Sequence, residues 1–280
     1  MADPAPIVVR EVWQSNLAAE ISLIQRHLQE FPYISMDTEF PGIVFKPPIP
    51  PKSKHNPPPP PLSPSELYAL MKRNVDTLCI IQLGLTLSDA AGNLPSSGGS
   101  RHVWEFNFAD FDSDSDPHNP ESVSLLERQG INFLKNKLMG IDSHAFALLF
   151  KLSGLGLRAI RRRNLTWVTF HGVYDFGFLV KILTGSQLPE TLQEFMVLLR
   201  HYFGPVVYDL KPMARRFGLH GGLERIAKSL MVDRAVGRSH QAGSDSLLTM
   251  RVFVELIKKF GGAKKIEEFN YMLFGLTPIL

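Results

Sequence analysis

Five side chains in three separated stretches carry the chemistry open to this sequence. Asp37 and Glu39 stand two apart in Tyr33-Ile-Ser-Met-Asp-Thr-Glu-Phe40, whose alternation reads as a strand stopped by Pro41-Gly42. A period of two sends both carboxylates to one face. Two acids on one apolar strand repel unless something positive lies between them, and a divalent cation is a natural counter-ion; a strand end open to water is the alternative. Asp175 follows the strand-like Leu165-Thr-Trp-Val-Thr-Phe-His171, at a strand-to-helix junction where an aspartate also serves as a helix cap. The third stretch is Gly237-Arg-Ser-His240-Gln-Ala-Gly-Ser-Asp245. On a continuous helix a five-residue step turns His240 and Asp245 about 140° apart. They converge only if His240 sits in the loop and Asp245 in the first turns of the helix, with Gly243 permitting close approach.

The elements that must position these groups are legible as periods. Leu17, Ile21, Ile24, Leu28 and Phe31 form one apolar stripe, which predicts a helix over 16–31 with Ser15 or Asn16 as its cap. Residues 77–87 make a nearly continuous apolar run, as a buried sheet-centre strand would, and 102–108 alternate cleanly; the Ser- and Gly-rich link at 88–100 makes the two a hairpin. From Pro47 to Pro64 the density of prolines predicts an extended, polyproline-like surface insert that interrupts the fold. Beyond residue 120 the pattern turns helical, broken by the strand at 165–171, with helical periods at 189–202, 210–217, 222–231 and 243–260. Strands first and helices later, with one late strand among helices, predict an α/β fold with a mixed sheet flanked by helices. No internal repeat is visible.

Composition bounds the setting. The chain has 280 residues, is 44% hydrophobic and 20% charged, and carries a formal charge of +3, which argues against a wholly disordered chain and permits a nucleic-acid binder without demanding one. Arg161-Arg162-Arg163, Arg215-Arg216, Lys258-Lys259 and Lys264-Lys265 are scattered and read as solvated faces or helix ends. Cys79 stands alone, so an internal disulfide and a thiolate metal cage are both excluded, which suits a reducing compartment. Neither a membrane span nor a signal region is expected.

Met36-Asp-Thr-Glu-Phe-Pro-Gly42, Tyr174-Asp-Phe-Gly177 and His240-Gln-Ala-Gly-Ser-Asp245 resemble the three motifs of the DEDDh exonuclease superfamily. Together with Asn74-Val-Asp, Ile80-Ile-Gln-Leu-Gly-Leu and Trp104-Glu-Phe-Asn-Phe, they resemble more narrowly the Ccr-associated (Caf/Pop) deadenylase subunit of the Ccr-Not complex, over about Val9 to Phe274. The resemblance implies one RNase H-like domain over 1–280 with its insert at 47–64. It also implies 3′-to-5′ removal of adenosines from mRNA poly(A) tails with release of 5′-AMP, and two divalent ions, Mg or Mn. Asp37, Glu39, Asp175 and Asp245 would hold those ions: Asp37 as the bridge, Glu39 and Asp245 on the ion that binds the attacking water, and Asp175 on the second. Hard oxygen ligands suit these metals, and two such ions can activate a water and stabilise a leaving oxygen. His240 would be the general base. The superfamily's tyrosine branch carries its base four residues before the last aspartate, where Gln241 stands here, so the likeness is to the histidine branch. Implied partners are poly(A) RNA, a Not scaffold and a Ccr-type nuclease, with presence in cytoplasm and nucleus.

The insert is unlike the shorter segment of typical family members. Within it, Pro60-Pro-Leu62-Ser-Pro64 fits a Pro-x-Leu-x-Pro ligand of MYND domains, with a plain spacer as the other reading. Asp110, Asp112, Asp114 and Glu121 imitate an EF-hand loop, yet Ser115 replaces its glycine and Pro117 follows, so a solvated acidic loop is expected. Gly154-Leu-Gly156 lacks the third glycine of a dinucleotide site, and Asp209 reads as the cap of the helix after it. Phe40 and Phe176 are candidates for stacking on a terminal base, with core packing as the alternative. Two rivals stand beside deadenylation: a 3′-to-5′ exonuclease acting on DNA or structured RNA, and a scaffold with little turnover of its own.

Overall fold

The computed structural model describes residues 5–47, 61–156 and 165–277. Among these residues seven strands build one mixed sheet: β1 (Ile7–Val12), β2 (Tyr33–Glu39), β3 (Gln82–Ser88), β4 (Ser96–Ser97), β5 (Ser100–Asn107), β6 (Thr166–Thr169) and β7 (Val206–Asp209). Their order is β1-β5-β3-β2-β6-β7, with β4 paired to β5. β3 runs antiparallel to both neighbours, whereas β1 lies parallel to β5 and β2, β6 and β7 are mutually parallel. The helices are α1 (Leu17–His27), α2 (Pro64–Thr77), α3 (Pro120–Arg128), α4 (Phe133–Met139), α5 (Ser143–Leu152), α6 (Val173–Thr184), α7 (Leu192–Phe203), α8 (Leu210–Arg216), α9 (Leu223–Ser229) and α10 (Ala242–Phe260), followed by a 3₁₀ helix over Ala263–Phe269. Among the described residues no helix is long and apolar enough to cross a membrane.

The two faces of the sheet bury different cores. On β6, Trp167 joins the cluster built with α1, α2, α5, α6 and α7, and its neighbour Val168 joins the one built with α8, α9 and α10. On β2, Ile34 and Met36 enter the first cluster. Ser35 points the other way, donating its hydroxyl to the Ser246 carbonyl of α10 at 2.7 Å. By the same alternation Asp37 and Glu39 face α10, as the spacing predicts. Gly84 of β3 pairs with Asp37. A Cβ on Gly84 would stand 1.8 Å from the Ala242 carbonyl oxygen, so the absent side chain is what lets α10 begin directly on the sheet.

Several boundaries depart from the sequence reading. The helix over 16–31 spans Leu17–His27, and the strand over 77–87 starts only at Gln82, because Val75 and Leu78 are buried at the end of α2 and its exit. The insert yields to a helix at its end. Ser63 caps α2 in a reciprocal capping box with Glu66, and Pro64 occupies the first turn, where its missing N–H costs nothing. Of the Pro60-x-Leu62-x-Pro64 motif, Pro60 lies outside the described residues, Leu62 is half-buried and Pro64 is helical. At the other end of the insert, β2 closes in a turn where Gly42 takes φ 78. Buried Asn74 of α2 then holds the outgoing chain: its Oδ1 accepts the N–H groups of Val44 and Phe45 at 3.0 and 2.9 Å, and its Nδ2 donates to the Phe45 carbonyl at 2.9 Å.

The acidic loop behaves as a loop. Asp112 pairs with Lys137 at 2.6 Å and Asp110 Oδ1 accepts the Ser143 hydroxyl at 2.5 Å, while Asp110 Oδ2 is buried without a hydrogen-bond partner among the described residues, so this end of the loop is less solvated than the sequence suggests.

Candidate active site

Around one hollow of about 340 Å3 stand Asp37, Glu39, His240 and Asp245, with Thr38, Phe170, Gly222, Leu223, Glu224 and Ser239 completing its wall. Asp37 and Glu39 come from the last residues of β2 and Asp245 from the first turn of α10. His240 lies in the loop before α10 with φ 61, a left-handed conformation held by its N–H donating to Asp245 Oδ2 at 2.7 Å. This is the arrangement the five-residue spacing requires. Asp175 approaches from α6: its Oδ1 accepts the Thr38 N–H at 2.9 Å and the Thr38 hydroxyl at 2.5 Å. It sits within the first turn of α6, behind Gly172 at the N-cap position, so it is not the cap.

Residues outside the three motifs hold α10 in place. The Gly243 N–H donates to Glu105 Oε2 at 3.0 Å and the Ala242 N–H to Gln82 Oε1 at 3.4 Å, while Gln82 donates to Asn107 at 2.8 Å. A Cβ on Gly243 would stand 3.1 Å from that of Glu105, which is the close approach its glycine permits. Glu105, Asn107 and Gln82 thereby explain why those polar residues interrupt two apolar strands.

Electrostatically the site is overloaded with negative charge. Burial, then the neighbouring carboxylates, push Asp37 and Glu39 well above the usual carboxylate range. Burial lifts Asp175 to about 7 although the two Thr38 donors oppose it, and lifts Asp245 against the pull of Arg234. Among the described residues nothing donates a hydrogen bond to the Asp37 carboxylate. The carboxylate and imidazole atoms of Glu39, His240 and Asp245 fall within 4.8 Å of one another, with His240 Nδ1 4.0 Å from Glu39 Oε1. Carboxylate oxygens in excess over positive charge fit hard divalent cations such as Mg or Mn, and not a thiolate-preferring metal.

Arg234 escaped the sequence reading. Its guanidinium meets Asp245 Oδ1 at 2.5 Å and also pairs with Glu224, and it is 14% exposed. Lying in irregular chain, it offers no periodic signal. Removing one partner of a largely buried pair leaves the other uncompensated, so Arg234→Ala is expected to cost the metal-free protein about 3 kcal/mol. Chemical denaturation with and without Mn checks this, and Mn should restore part of the loss. The stacking candidates are also reassigned: Phe176 is fully buried, Phe40 stacks on Tyr174 at 5.2 Å, and Phe170 lines the hollow instead.

The comparisons with known proteins agree with this geometry. The model of the CAF1 family ribonucleases matches residues 12–145 and 155–253. A probable CCR4-associated factor 1 homolog 7 of Arabidopsis thaliana is 44% identical over 273 residues, 96% of this chain and 94% of that protein. The poly(A) ribonuclease pop2 of Schizosaccharomyces pombe is 39% identical over 269 residues, 96% of this chain and 75% of that one. The structure of S. pombe Pop2p in its Mg2+- and Mn2+-bound form superposes with a TM-score of 0.83 at 40% identity, covering 97% of this chain and all of that one. Yeast CAF1, co-crystallized with the NOT1 MIF4G domain, superposes with a TM-score of 0.70 at 32% identity over 93% of this chain and 91% of that one. With its fold, its acid cluster and most of its length matched, the chain belongs to the CAF1 family ribonucleases.

Proposed function

We propose that this ribonuclease shortens poly(A) tails from the 3′ end, hydrolysing each terminal phosphodiester to release 5′-AMP and leave a new 3′ hydroxyl. One observation carries the reading: in a chain of this family, Asp37, Glu39, Asp245 and His240 line one hollow, and Asp175 joins them through its hydrogen bonds to Thr38 in the wall. The adenosine preference rests on the poly(A) ribonuclease among the relatives.

Asp37, Glu39, Asp175 and Asp245 would hold two Mg or Mn ions. Bound there, such ions acidify a water and offset charge on the scissile phosphate. The chain's own residues do the rest. Thr38 fixes the Asp175 carboxylate and Arg234 fixes that of Asp245. His240, its side chain about half open, stands at the mouth where it can take the proton of the attacking water. Phe170 and Leu223 give the hollow an apolar flank on which a terminal base can rest.

The test is a time course on 5′-labelled RNA ending in poly(A), with and without Mg or Mn, beside poly(U) and single-stranded DNA. Metal-dependent laddering on poly(A) supports the reading; equal rates on DNA would favour the general-exonuclease rival. His240→Ala should slow hydrolysis about 100-fold. Its Mn affinity by calorimetry should stay near native, and lost affinity would recast His240 as a ligand.

The partner reading follows the same relatives. A Not-type scaffold is proposed from the NOT1 complex of yeast CAF1, and a Ccr-type nuclease from the CCR4-associated name; work in cytoplasm and nucleus is proposed from the family resemblance of the motifs alone. A MYND domain reading Pro60-x-Leu62-x-Pro64 remains the finer proposal for the Ccr-type partner, and the helical Pro64 confines its extended part to the residues before it.

A further inference from the structure

Beside the catalytic hollow lies a second of about 340 Å3, lined by Lys211, Arg215, His220, Gly222 and Phe274. Gly222 belongs to both, and Phe170 of the catalytic wall lies 5.8 Å beneath the Lys211 ammonium. Asp209, fully buried at the end of β7, assembles this neighbour. Its Oδ1 accepts the N–H groups of His171 at 2.7 Å and Lys211 at 3.0 Å, and its Oδ2 that of Phe274 at 2.9 Å. One carboxylate thus ties the turn after β6, the first turn of α8 and the C-terminal stretch. It is the cap the sequence suggests, and it does more than cap.

The result is an unusual pair of cations. The Lys211 ammonium sits 4.7 Å from the centre of the Phe274 ring and the Arg215 guanidinium 5.4 Å from it. His171 Nδ1 lies 3.1 Å from Lys211 Nζ. Burial and then the Lys211 charge push His171 down to about 4, so near neutral pH its ring is an uncharged acceptor for Lys211. Among the described residues neither cation is engaged in an ion pair. Two like charges are therefore held on one aromatic ring without a direct ion pair, the buried Asp209 carboxylate acting on Lys211 through space, next to a site that receives a strand end. The Phe274 ring carries these cations and its edge-on contact with His171, which argues against base stacking there. A negatively charged backbone fits what is left.

We propose that Lys211 and Arg215 form a phosphate-binding subsite that grips the nucleic-acid backbone upstream of the 3′-terminal nucleotide. This deepens the ribonuclease reading and rests on it. The phosphates arrive over Phe170 and Gly222 as the strand leaves the catalytic hollow, and each cation takes one of them. Asp209 is a positioning residue for the pair.

The experiment compares the full chain with Lys211→Ala, Arg215→Ala and Lys211→Arg on two substrates in Mn. One is a ten-nucleotide oligoadenylate; the other is the dinucleotide ApA, whose only phosphate is the scissile one. In each alanine variant kcat/KM on the oligomer should fall about tenfold through KM, with ApA turnover unchanged. The slope of log KM against log salt should drop by about 0.7 for each contact removed. Lys211→Arg should keep most of the oligomer rate, which a purely structural role for the lysine would not predict. Oligomer kinetics equal to native in both alanine variants overturn the subsite and leave the cations to an acidic protein partner. So does the same loss on both substrates. A native chain inert on both substrates overturns the ribonuclease reading itself, and the subsite with it.

Discussion

Replacing Asp37 with asparagine should abolish cleavage while making the metal-free protein more stable. The carboxylate faces three others and receives no hydrogen bond among the described residues, and burial and its acid neighbours hold its proton affinity high. Ionising it is therefore a burden on the fold, one that a bound cation answers. Asparagine keeps the shape and removes the charge. Activity on poly(A) RNA should drop about 1000-fold or more, since ion binding and water activation fail together. The melting temperature in EDTA at pH 8 should rise by about 3 °C or more, the pattern of a function bought at the expense of stability. Opposite signs in the two assays separate this from simple misfolding. A variant that cleaves at the native rate, or melts lower than native, contradicts the assignment.

Withdrawing divalent ions should leave a protein whose stability falls as pH rises. Asp175 holds its proton up to about 7 in the folded state, against an ordinary value of about 3.9 when unfolded. A group raised in this way contributes stability that is fully present below the unfolded value and lost as pH climbs through the folded one. Asp37 and Glu39, raised well above the ordinary range, act in the same direction. In EDTA the melting temperature should therefore decline between pH 5 and pH 8 (about the span set by these shifts). Mn at about 100 times its dissociation constant adds about 2.7 kcal/mol per site, or roughly 5 °C or more. That gain should be larger at pH 8 than at pH 5, because at low pH the ion must displace protons. Scanning calorimetry decides it, and a flat profile in EDTA would show that the carboxylates are not the frustrated cluster described here.

The acids were legible because their signal is local. A two-residue step on a strand puts Asp37 and Glu39 on one face whatever the rest of the chain does, helical geometry says how His240 and Asp245 could converge, and Asp175, which alone reads as a cap, joined them through the family resemblance. What sets the acids' environment was not legible. Arg234 reaches Asp245 from irregular chain, and Asp209 gathers His171 and Phe274 from far along the sequence, so neither leaves a periodic trace. Edge strand β1 is half-exposed without regular alternation, which hides it. The apolar run over 77–87 joins a buried helix exit to a buried strand, and periodicity cannot separate the two in so short a span. For α2 the signal existed: Ser63 and Glu66 make a capping box around Pro64, and the proline tract before it drew that residue into the insert.

The grip of Asn74 on the chain leaving β2 has a bearing on how this lineage can vary. Because Val44 and Phe45 are anchored to α2, and α2 opens with its own cap, the described chain is held fast on either side of the proline-rich tract. Its length and composition can drift, or acquire a binding role, without transmitting force to Glu39 a few residues upstream. The chemistry of the enzyme and the diversification of its surface are in this way mechanically insulated from each other.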